Sequence, residues 1–170
     1  MKIAAALAAI AAALALQTTL GSLVIRGTAA LDLVLIVVVY IALMTGPVTG
    51  LLLGSFAGLI QDSLSSGIIG IGGLAKTVVG FMAGVLGTQF IVAAPLSRFV
   101  VFVLATALHA AIFMGLYVLL ELRQFDSPYG PVLSQAVGNG FVGVVGAQLV
   151  ELLPGLRERR RTRRASRLSR

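Results

Sequence analysis

Two ionisable residues, Asp62 and Lys76, lie inside long apolar segments of this sequence. Glycines recur at every fourth position before the aspartate and after the lysine: Gly46, Gly50, Gly54, Gly58, Gly80 and Gly84. This spacing puts each charge on the same helical face as glycines, which pack against protein rather than lipid. Because an unpaired charge in a bilayer is costly, we predict either an Asp62–Lys76 ion pair or a polar pocket between two helices. In the simpler alternative, Asp62 caps a helix end and the Lys76 ammonium reaches the membrane interface.

The side chains next to these two charges extend the predicted polar cluster. Gln61 and Thr77 could satisfy remaining hydrogen bonds, so the predicted cluster is Gln61, Asp62, Lys76 and Thr77. The glycine ladder predicts close helix contact, either with another helix of this chain or with a partner. The predicted contact residues are Gly50, Gly54, Gly58, Gly80 and Gly84.

The composition is that of an all-α integral membrane protein. The chain has 170 residues, of which 58% are hydrophobic and 11% charged, and its mean hydropathy is +1.04. Soluble domains carry roughly 25% charged residues. The absence of cysteine and the single histidine exclude disulfides, thiolate sites and multi-histidine metal sites. The sequence contains no nucleophile–base–acid set and no phosphate-binding loop, so we expect neither enzymatic activity nor a cofactor.

The basic residues are concentrated at one end of the chain. The net charge is +7, and eight of the thirteen basic residues occupy the last fourteen positions. They are Arg157, Arg159, Arg160, Arg161, Arg163, Arg164, Arg167 and Arg170. This asymmetry argues against nucleic acid and favours a solvated cytoplasmic tail that binds anionic lipid or an acidic partner. With a break at Pro154-Gly155, we divide the chain into a transmembrane domain, 1–154, and a tail, 155–170.

The apolar segments predict a six-helix transmembrane bundle. The predicted spans are 3–25, 31–45, 47–62, 71–93, 99–121 and 131–153. A single kinked helix over 31–62 is the alternative to a break at Pro47. Positive charge favours the cytoplasm, so the arginine tail and Lys2 place both termini inside and require an even number of spans. Signal cleavage after the triplet at 13–15 would leave five spans.

Five further polar residues lie in predicted helices. We expect Gln17 to bond across to another helix, whereas Thr18 and Thr19 can bond back to their own helix. Asp32 begins the second helix, where an acid complements the helix dipole. His109, in the fifth helix, is expected to bond a neighbouring helix, because no chain of titratable partners for a proton relay is visible in the sequence.

These motifs resemble the rod shape-determining protein MreD family over about residues 14–86. The family pattern joins a glutamine, an aspartate at the second helix, spaced glycines, a Gly-Leu-x-Gln-Asp block and a Leu-x-Lys-Thr block. The matching positions here are Gln17, Asp32, Gly46, Gly50, Gly54, the block 58–62, Gly70, Leu74, Lys76, Thr77 and Gly80.

The resemblance implies a non-enzymatic component of the cell-elongation machinery in the bacterial cytoplasmic membrane. Such proteins bind MreC and link cytoplasmic MreB filaments to wall synthesis by RodA and a class B penicillin-binding protein. Their fold is similar to the substrate-binding subunits of energy-coupling-factor transporters. A vitamin-type binding subunit is therefore the alternative function, although such a site usually carries aromatic residues and this chain has no tryptophan.

Overall fold

The computed structural model describes residues 3–23, 31–65, 68–90, 92, 94–122 and 129–168, with side chains described through residue 152 except at 20–23. The described part is helical and contains no strand. Its six helices are α1 (Ile3–Leu23), α2 (Leu33–Thr45), α3 (Pro47–Leu64), α4 (Ile71–Gln89), α5 (Pro95–Leu119) and α6 (Tyr129–Leu168). The predicted all-α class and the six helices are confirmed, whereas six membrane crossings stay a prediction.

Within the described residues, three helical segments are long and apolar enough to cross a membrane. They are Ile71–Gln89, Pro95–Leu119 and the segment Tyr129–Leu152 of α6. Two shorter apolar segments accompany them, Ile3–Thr19 within α1 and Leu33–Thr45, which is α2. The second of these, α2, is apolar on all sides because it is the centre of the bundle, where it contacts all five other helices.

The break between α2 and α3 is made by Gly46. Its N–H donates to the carbonyl of Ala42 at 2.8 Å, which ends α2, and its φ of +99° is one that glycine adopts without strain. Pro47 then occupies the first turn of α3, where its missing N–H costs nothing. The alternative of one kinked helix over 31–62 is therefore wrong.

The glycine ladder is a contact between α3 and α4. A Cβ added at Gly50 would overlap the carbonyl of Gly80, and one at Gly54 would overlap the carbonyl of Lys76. A Cβ on Gly84 would meet the backbone of Pro47. Farther along, Gly58 faces the backbone of residues 72–73 in the same way. Of the two predicted possibilities, the stripe packs against another helix of the same chain.

The helices run back and forth, so the bundle has two distinct ends. At one end, the first residues of α2 and α4 meet the later parts of α1, α3 and α5, around Asp32. At the other end, Arg98 in the first turns of α5 meets Glu151 of α6, near the last turns of α2 and α4. We call these the Asp32 end and the Arg98 end.

The last helix does not stop at the predicted break. α6 continues as one helix of 40 residues through Pro154 and Gly155 to Leu168. A proline inside a helix removes one backbone hydrogen bond, and the neighbouring turns can carry the helix past it. The predicted break at Pro154-Gly155 is therefore not a helix end, whereas the solvated character of the tail stays a prediction. Helix rise alone extends the segment after Pro154 by about 20 Å.

Candidate intramembrane polar site

Lys76 pairs with Asp32, at the Asp32 end of the bundle. The Lys76 Nζ lies 2.8 Å from Asp32 Oδ2, and the two side chains are only 3% and 6% exposed. Asp32 also caps α2, because its Oδ1 accepts from the N–H of Leu35 at 2.9 Å. The predicted role of Asp32 at the start of a helix is confirmed. Its ion pair with α4 was not foreseen.

Asp62 has a different role from the predicted ion pair. Its Oδ2 accepts from the N–H groups of Gly70 and Gly73, at 2.8 and 2.9 Å. These donors lie at the start of α4, where backbone N–H groups have no partner within the helix. Direct pairing of Asp62 with Lys76 is therefore wrong, and the predicted capping of a helix end is correct in a modified form. Asp62 caps the following helix rather than its own.

His109 links α5 to this ion pair. Its Nε2 lies 3.1 Å from the Lys76 Nζ. Since the ammonium can only donate, the ring nitrogen accepts and the proton of the neutral ring is on Nδ1. The predicted bond of His109 to a neighbouring helix is confirmed. The titratable neighbours that the sequence did not reveal are Lys76 and, beyond it, Asp32.

The polar residues of α1 behave as expected. The Gln17 Oε1 accepts from the N–H of Val34 at 3.3 Å, which ties α1 to the first turn of α2. Thr18 and Thr19 both donate to the carbonyl of Ala15 in their own helix. The predicted interhelical bond of Gln17 is thus confirmed, and so are the predicted bonds of the two threonines to their own helix.

Of the two polar neighbours, Thr77 has a hydrogen-bonded side chain, whereas Gln61 has a carboxamide oxygen without a partner. The Thr77 hydroxyl donates to the carbonyl of Gly73 and shares a 2.7 Å hydrogen bond with Ser55 of α3. The carboxamide oxygen of Gln61 is buried without a hydrogen-bond partner among the described residues. Neither side chain bonds to Asp62 or Lys76: Thr77 bonds to Gly73 and Ser55, and the Gln61 oxygen bonds to no described residue.

A cavity of about 310 Å³ opens beside these groups. Its polar lining combines the polar residues described above with Ser65 and Gln135. It is lined by Gln17, Asp32, Gln61, Asp62, Ser65, Lys76, His109 and Gln135, with Ile68, Gly72, Ala110, Phe113, Met114 and Tyr117. The polar pocket, which was the other predicted possibility, is thus present, and it involves α2 and α5 as well as α3 and α4.

Asn139 is a site residue that sequence reasoning missed. Its Oδ1 accepts from the N–H of Asp32 at 3.0 Å, and its Nδ2 donates to the Thr106 hydroxyl at 3.1 Å. Thr106 in turn donates to the carbonyl of Phe102. Asn139 is fully buried. The available signal was that it is the single asparagine of the chain and stands between glycines in an apolar helix.

We expect Asn139→Leu to lower the free energy of unfolding by about 1–3 kcal/mol, because the N–H of Asp32 loses its acceptor in a dry place. Thermal and denaturant unfolding of the purified chain in detergent would measure this. Gln148→Leu is the matched control, since Gln148 is exposed on the same helix and its loss should change stability by less than about 0.5 kcal/mol. Equal stability of the two variants would contradict the assigned bond.

A second polar contact lies at the Arg98 end. The Arg98 Nη2 is 2.6 Å from Glu151 Oε1, and its Nε donates to the carbonyl of Val92. Glu151 is 47% exposed, so the pair is partly solvated and contributes little to stability. The sequence placed Arg98 in a loop, but the residue is buried in the first turns of α5. Glu151 was not singled out, because one acid near a helix end resembles ordinary surface charge.

The chemistry of this site is ion pairing and hydrogen bonding between helices. Asp32, Lys76 and His109 join α2, α4 and α5, and Asp62 joins α3 to α4. No group of three potential ligands capable of holding a metal ion occurs in the described ranges. The side chains of the predicted lipid-binding arginines lie outside the described residues, and the backbone of those from Arg157 to Arg167 is helical.

Comparison with known proteins identifies the family. The family described as rod shape-determining protein MreD matches residues 3–144, well beyond the segment that carried the motifs. No match was found among curated proteins or solved structures. The matched range contains all the residues of the polar site, from Gln17 through His109 to Asn139. The chain therefore belongs to the MreD family, whose members act in determining rod shape.

Proposed function

We propose that this protein is a non-enzymatic membrane scaffold of the bacterial cell-elongation machinery. It binds MreC and helps to couple MreB filaments to peptidoglycan synthesis by RodA and a class B penicillin-binding protein. The observation that carries this proposal is the family match over residues 3–144. The polar site fits a scaffold, because Asp32, Lys76 and Asp62 form bonds between helices of the same chain.

The proposed location is the cytoplasmic membrane, with six crossings and both termini in the cytoplasm. Positive charge favours the cytoplasmic side. Arg98 lies at the same end as Glu151 of α6, and beyond Glu151 the helix continues into the arginine-rich segment. Asp32 and Asp62 lie at the opposite end. The Arg98 end is therefore assigned to the cytoplasm and the Asp32 end to the outer face.

Single cysteines in this cysteine-free chain test the orientation. Ser65 follows α3 at the Asp32 end and Gln89 ends α4 at the Arg98 end, and both are exposed. A membrane-impermeant maleimide should label Ser65→Cys in intact cells, and Gln89→Cys only after permeabilisation. Labelling of Gln89→Cys in intact cells would contradict the orientation. Gly46 is unsuitable for this purpose, because it is buried and has a positive φ.

The arginine-rich segment is proposed to bind the membrane surface. A juxtamembrane cluster of basic residues attracts anionic lipid by about 1 kcal/mol per charge. The cluster comprises Arg157, Arg159, Arg160, Arg161, Arg163 and Arg164. In this proposal the chain divides into a membrane domain, 1–154, and a cytoplasmic segment, 155–170, although one helix runs through both.

The alternative function is the small-molecule binding subunit of a transporter. It is favoured by the cavity at the Asp32 end, whose volume of about 310 Å³ is within the range of ligand sites. The similarity of fold to energy-coupling-factor subunits stays an inference from the resemblance. The two functions require different partners, because a transporter subunit needs an ATPase module.

Affinity purification from the native membrane separates these functions. The tagged full chain, expressed at its natural level, should recover MreC well above the amount recovered with an unrelated tagged multi-pass protein. A Gly54→Leu variant, in which the α3–α4 contact is disrupted, should lose this recovery, whereas Gly115→Leu should keep it. Recovery of an ATPase module without MreC would contradict the scaffold function and support the transporter function.

A further inference from the structure

We infer that the cavity at the Asp32 end is a binding site for a primary ammonium group. The ligand is either a free amine with an apolar portion or the headgroup of an aminophospholipid, because both present the same group. An ammonium site of this kind does not require that the chain bind MreC.

The charges in the cavity lining favour a cation. Asp32 and Asp62 contribute two carboxylates, and Lys76 contributes one ammonium. Lys76 is paired with Asp32 at 2.8 Å, so the carboxylate of Asp62 has no cationic side chain bonded to it among the described residues. The formal excess is one negative charge in a poorly hydrated place, where an arriving ammonium group is attracted strongly.

The cavity also contains acceptors that lack donors. The Gln61 carboxamide oxygen is buried with no partner in the part of the chain that the structure describes. The Asp62 Oδ2 is occupied by two backbone N–H groups, but Oδ1 lies beside Gly72, where a Cβ would overlap it, and makes no bond with a described residue. An ammonium group carries three donors, which is enough in number for both oxygens. A buried acceptor left unsatisfied is costly, so a donor is expected there.

One wall of the cavity is aromatic. His109, Phe113 and Tyr117 repeat every four residues on α5, with ring centroids 5.9 Å and 4.8 Å apart along the series. All three line the cavity. Aromatic faces attract ammonium groups through their quadrupole, and this adds to the attraction of a nearby carboxylate. The combination of carboxylate, unpaired acceptor and aromatic wall is chemistry that recognises an amine.

The rest of the lining accommodates an apolar portion of the ligand. Ala110, Met114 and Ile68 contribute hydrocarbon and thioether surface beside the polar groups. The volume of about 310 Å³ exceeds what an ammonium group alone would fill. We therefore expect an amphiphilic amine to bind more tightly than a small polar one, because burial of apolar surface adds to the ionic contact.

The test is titration of the full chain in an uncharged detergent and an amine-free buffer with 2-phenylethylamine, and separately with the neutral analogue 2-phenylethanol. Calorimetry or the ligand-dependent rise in melting temperature measures affinity. We expect saturable binding of the amine, at least about tenfold tighter than that of the alcohol, because a charge-assisted hydrogen bond is lost with the ammonium group. No saturable binding, or equal affinity for both compounds, would overturn the proposal.

Two substitutions in the site should change affinity in opposite directions. Asp62→Asn keeps an acceptor for the start of α4 but removes the charge, so affinity for 2-phenylethylamine should fall about tenfold or more. Gln61→Glu adds a carboxylate to the cavity and should raise affinity, a gain that misfolding cannot imitate. Gln148→Leu, far along the exposed face of α6, should bind like the unchanged chain. Unaltered affinity in both site variants would refute the assignment.

A second experiment tests whether the ammonium group belongs to a lipid headgroup or to a free amine. The titration is repeated in nanodiscs of phosphatidylglycerol with and without phosphatidylethanolamine. If phosphatidylethanolamine competes with 2-phenylethylamine, the lipid headgroup is the occupant, and the apparent affinity for the probe falls as the lipid fraction rises. If it does not compete while the probe still binds, the ligand is a free amine. Both results support an ammonium site and assign its occupant.

Discussion

Replacement of Gly54 by leucine is expected to prevent stable folding. The backbone of α3 at Gly54 lies against the carbonyl of Lys76 in α4, closer than any side chain allows. A leucine there must push the two helices apart along their whole contact, which is the largest helix interface in the bundle. We expect destabilisation of more than about 3 kcal/mol, above the usual range for overpacking, because backbone rather than side chains must move.

The matched control is Gly115→Leu in α5. Gly115 is exposed, and a Cβ there meets nothing within 4 Å. Since leucine favours a helix over glycine by up to about 1 kcal/mol, this variant should be as stable as the natural chain or more so. The measurement is thermal unfolding in detergent, together with the monodisperse fraction recovered by size-exclusion chromatography. Equal behaviour of both variants would mean that the glycine stripe is not a contact surface.

Removal of the Lys76 charge is expected to have the second large effect. Lys76→Met leaves the carboxylate of Asp32 buried and without its ion-pair partner, which should lower the free energy of unfolding by about 3–5 kcal/mol. In the double variant with Asp32→Asn, the charge is gone and asparagine can still cap α2. The double variant should therefore recover much of the lost stability, with a coupling energy of at least about 1 kcal/mol.

A second double-mutant cycle, with Asp62 in place of Asp32, identifies the ion-pair partner of Lys76. Asp62 is bonded to the start of α4 and not to Lys76. Asp62→Asn combined with Lys76→Met should thus show a coupling energy smaller by at least about 1 kcal/mol than that of the Asp32 cycle. Unfolding of all single and double variants in one detergent provides the comparison. A larger coupling for Asp62 than for Asp32 would show that the ion pair has been assigned to the wrong acid.

The helices could be predicted from sequence because their ends are marked by local chemistry. The break at Gly46-Pro47 is one example, since the positive φ and the missing N–H act within two residues. The face that carries Gly50, Gly54 and Gly58 was equally predictable, because helix periodicity places them in one line. What that face contacts required the structure, as the same stripe suits either an internal or an external helix.

The partners of the polar groups could not be predicted, because they depend on how helices are rotated against each other. Asp62 and Lys76 share glycine-bearing faces, and this suggested a pair. In the bundle, Lys76 is one turn farther into α4 than Gly73, so its long side chain reaches α2 and α5. Asn139 contacts Asp32 across 107 positions of sequence, a separation at which no local pattern is informative.

The end of α6 was mispredicted for another reason. Pro154 and Gly155 are both helix breakers by intrinsic preference, and the arginines that follow have no apolar face to pack. Preference is a weak guide when a long helix has already formed, because adding one residue costs far less than starting a helix. The helix consequently passes both residues and ends at Leu168.

The shape of cells depleted of this protein tests its role in rod-shape determination most directly. The natural copy is placed under a repressible promoter, and cell length and width are measured by microscopy as the protein disappears. We predict that the rods become round and that the full chain supplied in trans restores them, whereas the Gly54→Leu variant does not. Cells that stay rod-shaped after complete depletion, with growth restored by a supplied vitamin, would contradict the scaffold function and support the transporter alternative.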